Sequence, residues 1–258
     1  MQASVMKGKV YLVGAGPGDP ELLTLRALRV LESADVVLHD DLVTSAILDR
    51  ASPAAQVINV GKRCGRKTFS QEGINQLMVS YASDGYTVVR LQGGDPLIFG
   101  RAGEEITALR DAGVEFEIVP GVTSVLGAAA AAQVSLTDRR VASSVIFTTG
   151  HRCGGKNPDA WPAANPPGTG SSATIVVYMP TDIASIAEEL STAGWKGETP
   201  CLLVSNASTA HETTFLTTLA ELPQVPQLPS PKLLIIGMAV KAASLKRMCH
   251  SLIPTAWP

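Results

Sequence analysis

The sequence has almost no net charge: 21 Lys and Arg against 23 Asp and Glu leave −2, with no acidic or basic tail. A general nucleic-acid binder is more often basic, so that class is disfavoured. A local basic cluster could still hold an anionic ligand. No two of the four cysteines, Cys64, Cys153, Cys201 and Cys249, stand close enough to form a CxxC metal or redox motif, and they read as free thiols in a reducing compartment. His39, His151 and His211 are too far apart in sequence to suggest a metal site, and none is expected. No apolar run approaches the roughly 20 residues of a membrane span. The stretch from Met1 to Lys9 has no apolar core of a signal peptide, so a cytoplasmic protein without membrane or nucleic-acid partners is expected.

What is present is enough apolar residue, 45 % of the chain against 17 % charged, to build a real core. Short apolar runs alternate with helical patterns through the first half. Val10 to Val13, Asp35 to Leu38, Gln56 to Val60, Thr87 to Leu91 and Val114 to Val119 read as strands. Glu21 to Ala34, Ser70 to Ser83, Arg101 to Asp111 and Thr123 to Ala132 read as helices. Ser70 suits an N-cap, with Ile74, Leu77, Met78 and Tyr81 on one face. This alternation predicts an α/β fold with a mainly parallel sheet covered by helices.

His151 to Ser172 is rich in Gly, Pro, Asn and Ser and reads as a long loop. Beyond it, Thr174 to Tyr178, Cys201 to Ser205 and Leu233 to Ile236 read as strands, with helices at Ile183 to Ala193 and Val240 to His250. A domain boundary is placed near Pro120, giving α/β domains over 1–120 and 121–258. No internal repeat is visible.

Four segments could carry chemistry. Gly14-Ala-Gly-Pro-Gly-Asp-Pro20 follows a strand with G-x-G-x-G spacing, and Pro17 removes one donor, so a dinucleotide pyrophosphate is a poor fit. It is either a tight strand-to-helix connection or a turn that brings backbone N–H groups to a ligand. Gly93-Gly94-Asp95-Pro96 also ends a strand, where ligands collect in open α/β sheets. Two glycine N–H groups suit a carboxylate and Asp95 suits an ammonium, so a free amino-acid moiety would match both. Thr123 and Ser124, after Pro120-Gly121, could cap a helix or hold a ligand. Finally, Asp40 lies just past a strand and is either a proton acceptor or an ordinary loop acid. Lys62, Arg63, Arg66 and Lys67 form a basic run that is either a solvated loop or a clamp for a multiply anionic substrate.

Together these segments resemble a known family. Val13-Gly-Ala-Gly-Pro-Gly-Asp-Pro-Glu-Leu-Leu-Thr-Leu-Arg-Ala27 is similar to the first signature of the tetrapyrrole methylases. Val89-Arg-Leu-Gln-Gly-Gly-Asp-Pro-Leu-Ile-Phe-Gly-Arg101 with Glu104-Glu105 is similar to their second, and Val119 to Ser124 to their third. Within the family, Asp40-Asp41-Leu42-Val43, Gly61-Lys62-Arg63 and Gln71 with Ile74-Asn75 resemble the branch that methylates carbon atoms of uroporphyrinogen III.

The resemblance implies two α/β domains, a mainly parallel N-terminal sheet and a mixed C-terminal one, with a cofactor cleft between them. It implies S-adenosyl-L-methionine as methyl donor, with S-adenosyl-L-homocysteine as its product, and no metal. It implies uroporphyrinogen III as substrate, methylated twice through precorrin-1 to precorrin-2 in sirohaem or cobalamin synthesis, by a homodimer. Cofactor contacts are implied for Pro17, Gly93, Gly94, Asp95, Ile98, Thr123, Ser124, Met179 and Ala207 of the Asn206-Ala207 turn. Asp40 is implied as proton acceptor and Lys62 as proton donor. The eight substrate carboxylates need cations, and Lys62, Arg63, Arg66, Lys67, Arg101 and Arg152 are the available pool. No dehydrogenase or ferrochelatase stretch is visible, and a stand-alone enzyme is expected.

Overall fold

A computed structural model describes residues 8–63, 66–67, 69–150, 161 and 172–242. The chain divides into two compact units, Met1–Ser124 and Val125–Pro258.

The first unit is built on a five-stranded parallel sheet. Its strands are β1 (Lys9–Gly14), β2 (Val36–His39), β3 (Gln56–Asn59), β6 (Val88–Gln92) and β7 (Glu115–Val119), in the order β3-β2-β6-β1-β7. A two-stranded antiparallel hairpin, β4 (Lys62–Arg63) and β5 (Arg66–Lys67), stands apart from it. The helices are α1 (Leu25–Glu32), the single turn α2 (Ser45–Leu48), α3 (Gln71–Ser83) and α4 (Ala102–Asp111). Strand side chains alternate between two faces. Val10, Leu12, Val36, Leu38 and Val88 face Ile74 and Met78 of α3 and Leu109 of α4. Val13, Val37, Val89 and Leu91 face Ala27 and Leu31 of α1 and Ile47 of α2. The result is three layers, with helices on both faces of the sheet.

Local chemistry sets the helix starts. Thr24 Oγ1 accepts the Ala27 N–H at 3.1 Å and opens α1, and Ser70 Oγ accepts the Gly73 N–H at 3.0 Å and opens α3. The segment expected as one helix from Glu21 is instead a 3₁₀ turn, Pro20–Leu22, then extended backbone at Leu23 and Thr24, then α1. The apolar period runs through this break because Leu22 and Leu25 keep helical spacing, although Leu25 is 78 % exposed.

Strand order determines where a ligand could gather. The chain leaves β1 for β2 on one side of the sheet, and leaves neighbouring β6 for β7 on the other. The carboxyl ends of β1 and β6 therefore flank a topological switch point.

The second unit holds α5 (Ser124–Ala131), β8 (Ala142–Thr149), β9 (Ser172–Tyr178), α6 (Ile183–Thr192), β10 (Pro200–Ser205), β11 (Thr213–Thr218) and β12 (Lys232–Ile236). Its sheet is mixed, in the order β11-β10-β12-β9-β8, with only β8 and β9 paired in parallel. Ile186, Ala187 and Leu190 of α6 pack with Trp195 on Ile175, Val177, Cys201, Leu203, Leu234 and Ile236. Burial pushes the Cys201 thiol up to about 12, so it behaves as a core side chain. Of the helix expected from Val240 to His250, the described part lies in a 3₁₀ turn, Met238–Ala242, and the rest falls outside the described residues, as does nearly all of the expected 151–172 loop. Among the described residues no helix is long and apolar enough to cross a membrane.

A Cβ added to Gly121 would sit 2.4 Å from Gly94 O and 2.8 Å from Gly14 Cα. Gly121→Ala is expected to lose about 1–3 kcal/mol of stability, read from the urea midpoint. An unchanged midpoint would mean that these turns part freely.

Candidate active site

Four strand-end turns close on one another, and those after β1 and β6 are joined by backbone hydrogen bonds. Gly16 N–H donates to Gly94 O at 3.1 Å, and Gly94 N–H donates back to Gly16 O at 2.7 Å. Ala15 N–H donates to Gln92 O at 2.8 Å. A Cβ on Gly14 would lie 2.6 Å from Gly121 N and one on Gly93 2.6 Å from Leu42 Cβ, so the turns after β1, β2, β6 and β7 close on one another. Gly16 and Gly94 both adopt φ of +73°, which an L side chain rarely tolerates.

This corrects one expectation. The Gly93 and Gly94 N–H groups are not open to a ligand carboxylate. Gly93 N–H donates to Asp40 Oδ2 at 3.0 Å, and Gly94 N–H serves the bridge to Gly16. Asp95 is likewise tied to backbone, while keeping its charge and a further lone pair on each oxygen. Its Oδ1 accepts the Leu97 N–H at 2.8 Å and its Oδ2 the Gly121 N–H at 2.9 Å, so it braces the β6 turn against the β7 turn.

Asp40 is a second brace. Its Oδ1 accepts the Leu42 N–H at 2.9 Å, and Oδ2 holds Gly93. Each carboxylate oxygen keeps a further lone pair, so accepting a proton stays within its chemistry. His39 Nδ1 lies 2.8 Å from Asp40 O. A carbonyl only accepts, so Nδ1 carries the proton. Asn59 joins the end of β3, its Nδ2 donating to Asp41 Oδ1 at 3.0 Å and its Oδ1 accepting the Gly61 N–H at 2.7 Å.

Pro17, Ile98, Thr123 and Ser124 are half-buried at this same carboxyl edge. Ile98 N–H donates to Asp95 O at 3.2 Å. The turn that carries it is tight: Phe99 and Arg101 take left-handed φ of 55° and 60°, and a Cβ on Gly100 would lie 2.5 Å from Pro96 O. Arg101, expected as a cation for substrate carboxylates, already grips Glu104 in a two-point pair, Nε to Oε1 at 2.7 Å and Nη2 to Oε2 at 2.6 Å. Lys62 and Arg63 stand opposite Lys67 and Arg66 on the β4–β5 hairpin. Their side chains, and all of Arg152, lie outside the described set.

In the second unit β9 and β10 both run antiparallel to β12 between them, so their carboxyl ends share an edge. Met179 follows β9 with φ 50°, and Asn206 and Ser208 follow β10 with φ 51° and 59°. Ala207 between them is buried. Asn206 N–H donates to Pro231 O at 2.8 Å and Ser208 N–H to Glu212 Oε2 at 2.6 Å. Burial pushes the Glu212 carboxyl above its ordinary value, and the Ser208 hydrogen bond partly offsets this.

Sequence reasoning missed one cluster. Glu105 on α4 is fully buried, and its Oε1 accepts both Arg90 Nε and Gln71 Nε2 at 3.0 Å. Arg90 and Gln92 are also buried, and Gln92 Nε2 donates to Gly100 O at 2.6 Å under the strained turn. The available signal was a charge inside the apolar run Val88-Val89-Arg90-Leu91. Among the described residues no group of three or more His, Cys, Asp or Glu could hold a metal ion.

A parallel sheet with glycine turns tied together at its switch point, followed in the chain by a unit on a mixed sheet, makes a two-unit α/β protein. Residues 9–223 match the Tetrapyrrole (Corrin/Porphyrin) Methylases, and the chain belongs to that family. It is 42% identical to a Thermus thermophilus uroporphyrin-III C-methyl transferase crystallised with S-adenyl homocysteine, covering 91% of this chain and 99% of that one at a TM-score of 0.78. It is 43% identical over 249 residues to the chloroplastic S-adenosyl-L-methionine-dependent uroporphyrinogen III methyltransferase of Arabidopsis thaliana, covering 94% of this chain and 66% of that protein. It is 45% identical over 243 residues to a siroheme synthase of Pseudomonas paraeruginosa, covering 93% of this chain and 51% of that protein, so it spans about half the length of such relatives.

Two outcomes follow from the braces. Asp95→Ala strips the acceptor from two backbone N–H groups and is expected to cost about 1–3 kcal/mol, with faster amide exchange at Leu97 and Gly121. Unaltered exchange at both would deny Asp95 its bracing role. For Glu212, the stability tied to its protonated form is fully present below pH 4.5 and is lost as the pH rises through its raised folded value. Glu212→Gln is expected to narrow the difference in urea midpoint between pH 4.5 and pH 7. An equal difference in both proteins would refute the assignment.

Proposed function

We propose that this chain transfers methyl groups from S-adenosyl-L-methionine to two carbon atoms of uroporphyrinogen III in succession, through precorrin-1 to precorrin-2. The match to the Thermus enzyme across nearly the whole of both chains carries this reading. The siroheme synthases among its relatives make sirohaem formation the first use to examine, ahead of cobalamin.

The sulfonium donor supplies a methyl group that needs no further activation. The protein's work is therefore to hold two reactants in line and exclude water. In the first unit the donor is held by Pro17, Gly93, Gly94, Asp95, Ile98, Thr123 and Ser124; Met179 and Ala207 are assigned to it from the second. Because the Gly93 and Gly94 N–H groups are spent inside the protein, these turns offer acceptor oxygens more than donors. Asp95 acts by fixing the turn. Thr123 and Ser124 bring hydroxyls at the start of α5.

The ring carbon's electron pair forms the new carbon–carbon bond as the sulfur–methyl bond breaks, which leaves the macrocycle cationic. A proton must then leave, and Asp40 takes it. Lys62 is the proposed proton donor: any proton it gives the macrocycle must be matched by a second one lost to Asp40 or to water, so the pair can shift a proton between ring positions while each methylation releases one net proton. Arg63 and Arg66 meet substrate carboxylates. Arg101 acts as a pair with Glu104, a planar donor face with its charge largely balanced.

The direct test incubates the protein with labelled S-adenosyl-L-methionine and uroporphyrinogen III and weighs the product. Gain of two methyl groups is expected; methylation of a later corrinoid but not of uroporphyrinogen III would replace this substrate assignment. Asp40→Asn is expected to lower turnover by about a hundredfold, and wild-type initial rates in that variant would remove Asp40 from the reaction.

A further inference from the structure

We propose that Arg90, Glu105 and Gln71 form a buried positioning network that sets Asp40 and the Gly93 turn for methyl transfer. The proposal rests on the functional reading above and deepens it.

The network is continuous. Glu105, on α4, has no exposed surface, and Arg90, in the middle of β6, has 5 %. Glu105 Oε1 accepts from Arg90 Nε at 3.0 Å and from Gln71 Nε2 at 3.0 Å. Arg90 Nη1 lies 3.4 Å from both Leu38 O and Leu91 O, and so touches the ends of β2 and β6 together. Leu91 O also accepts the Asp40 N–H, at 3.3 Å. Asp40 Oδ2 then accepts the Gly93 N–H at 3.0 Å. Five polar contacts thus lead from the start of α3 to the proposed base and the proposed donor turn.

Stability is a weak reason for such a cluster. It sits in the layer otherwise formed by Val10, Leu12, Val36, Leu38, Ile74, Met78 and Leu109. Burying a charge pair there costs desolvation, and apolar groups of similar volume often serve a core as well or better. Among the described residues Glu105 Oε2 has no hydrogen-bond partner. What the pair does provide is a fixed angle: a planar guanidinium can hold two strand-end carbonyls and one carboxylate oxygen at once. Gln71 is the first residue of α3, a short step after the β4–β5 hairpin that carries Lys62, Arg63 and Arg66. Glu105 therefore anchors the element that follows the basic hairpin and, through Arg90, the turn that carries the base.

The test pairs two variants with two measurements. Arg90→Met with Glu105→Leu removes both charges and fills the space, and Gln71→Leu cuts one arm of the network at its half-buried end. Both are expected to bind S-adenosyl-L-homocysteine within about threefold of wild type by calorimetry. The double variant is expected to lose about tenfold to a hundredfold in kcat with little change in substrate KM. Gln71→Leu is expected to lose a smaller factor in the same direction. In both, amide exchange at Asp40 and Gly93 is expected to quicken. A folded double variant with wild-type kcat, or one whose kcat falls while exchange at these amides stays as in wild type, would overturn the proposal. Should the double variant fail to fold, Gln71→Leu decides by the same two measurements. If the wild-type protein leaves uroporphyrinogen III unmethylated, the functional reading fails, and the exchange data alone still decide whether the network holds Asp40 and Gly93.

Discussion

The first unit depends on a contact in which no side chain takes part: Gly16 and Gly94 exchange N–H and carbonyl across the switch point of the parallel sheet. The contact requires both turns to be stripped to backbone, and Gly14 and Gly121 extend that requirement to the β7 turn. Glycine turns are costly to order, because the unfolded chain has more conformations to lose there than anywhere else. The structure meets this cost with acids rather than with apolar packing. Asp40 and Asp95 each accept two backbone N–H groups, one within their own turn and one from the next. The glycines permit the approach, and the aspartates fix it.

Strain gathers at the same strand ends. Phe99 and Arg101 in the first unit, and Met179, Asn206 and Ser208 in the second, take left-handed backbone without being glycine. Such residues persist only where their surroundings over-determine them. Here the supports are identifiable: Gln92 Nε2 on Gly100 O under the first turn, and Glu212 on the Ser208 N–H in the second. Rigid strands with strained, braced turns at their ends suit a reaction whose rate comes from placement more than from strong acid or base.

The layered fold was legible because periodicity reports burial. Val10 to Val13 and Val88 to Leu91 are apolar at nearly every position, as strands covered on both faces should be, and Ser70 announces α3 as its cap. Elements without that signal went unread. β8, Ala-Ser-Ser-Val-Ile-Phe-Thr-Thr, has no clean alternation, and α2 is a single turn. The site was legible as a set of segments but not as a set of bonds. A sequence displays the N–H groups of Gly93 and Gly94, yet it cannot show that Asp40 and Gly16 already hold them. It likewise displays the charges of Asp95 and Arg101 without showing that the first braces two backbone N–H groups and the second is paired with Glu104. Arg90 and Glu105 both stand in the second signature, yet their pairing was not legible because the charges meet only when β6 and α4 pack together.

One tension remains in Asp40, which serves as brace and as proposed base. The two roles agree on chemical grounds. In the proposed reaction the proton to be removed would sit on a carbon of a macrocycle made cationic by methylation, so it would be acidic and an ordinary carboxylate would suffice to take it. Such a step gains little from a stronger base and much from one that is already in place, because reorientation at the moment of reaction would add to the barrier. The N–H groups of Leu42 and Gly93 fix the carboxylate plane and leave a lone pair on each oxygen. Since Oδ2 holds the very turn assigned to the methyl donor, any displacement of that turn displaces the base with it. Donor and acceptor geometry are then one variable, and the bond that removes Asp40 from the class of free loop acids is also what would keep its proton transfer in register with the methyl transfer.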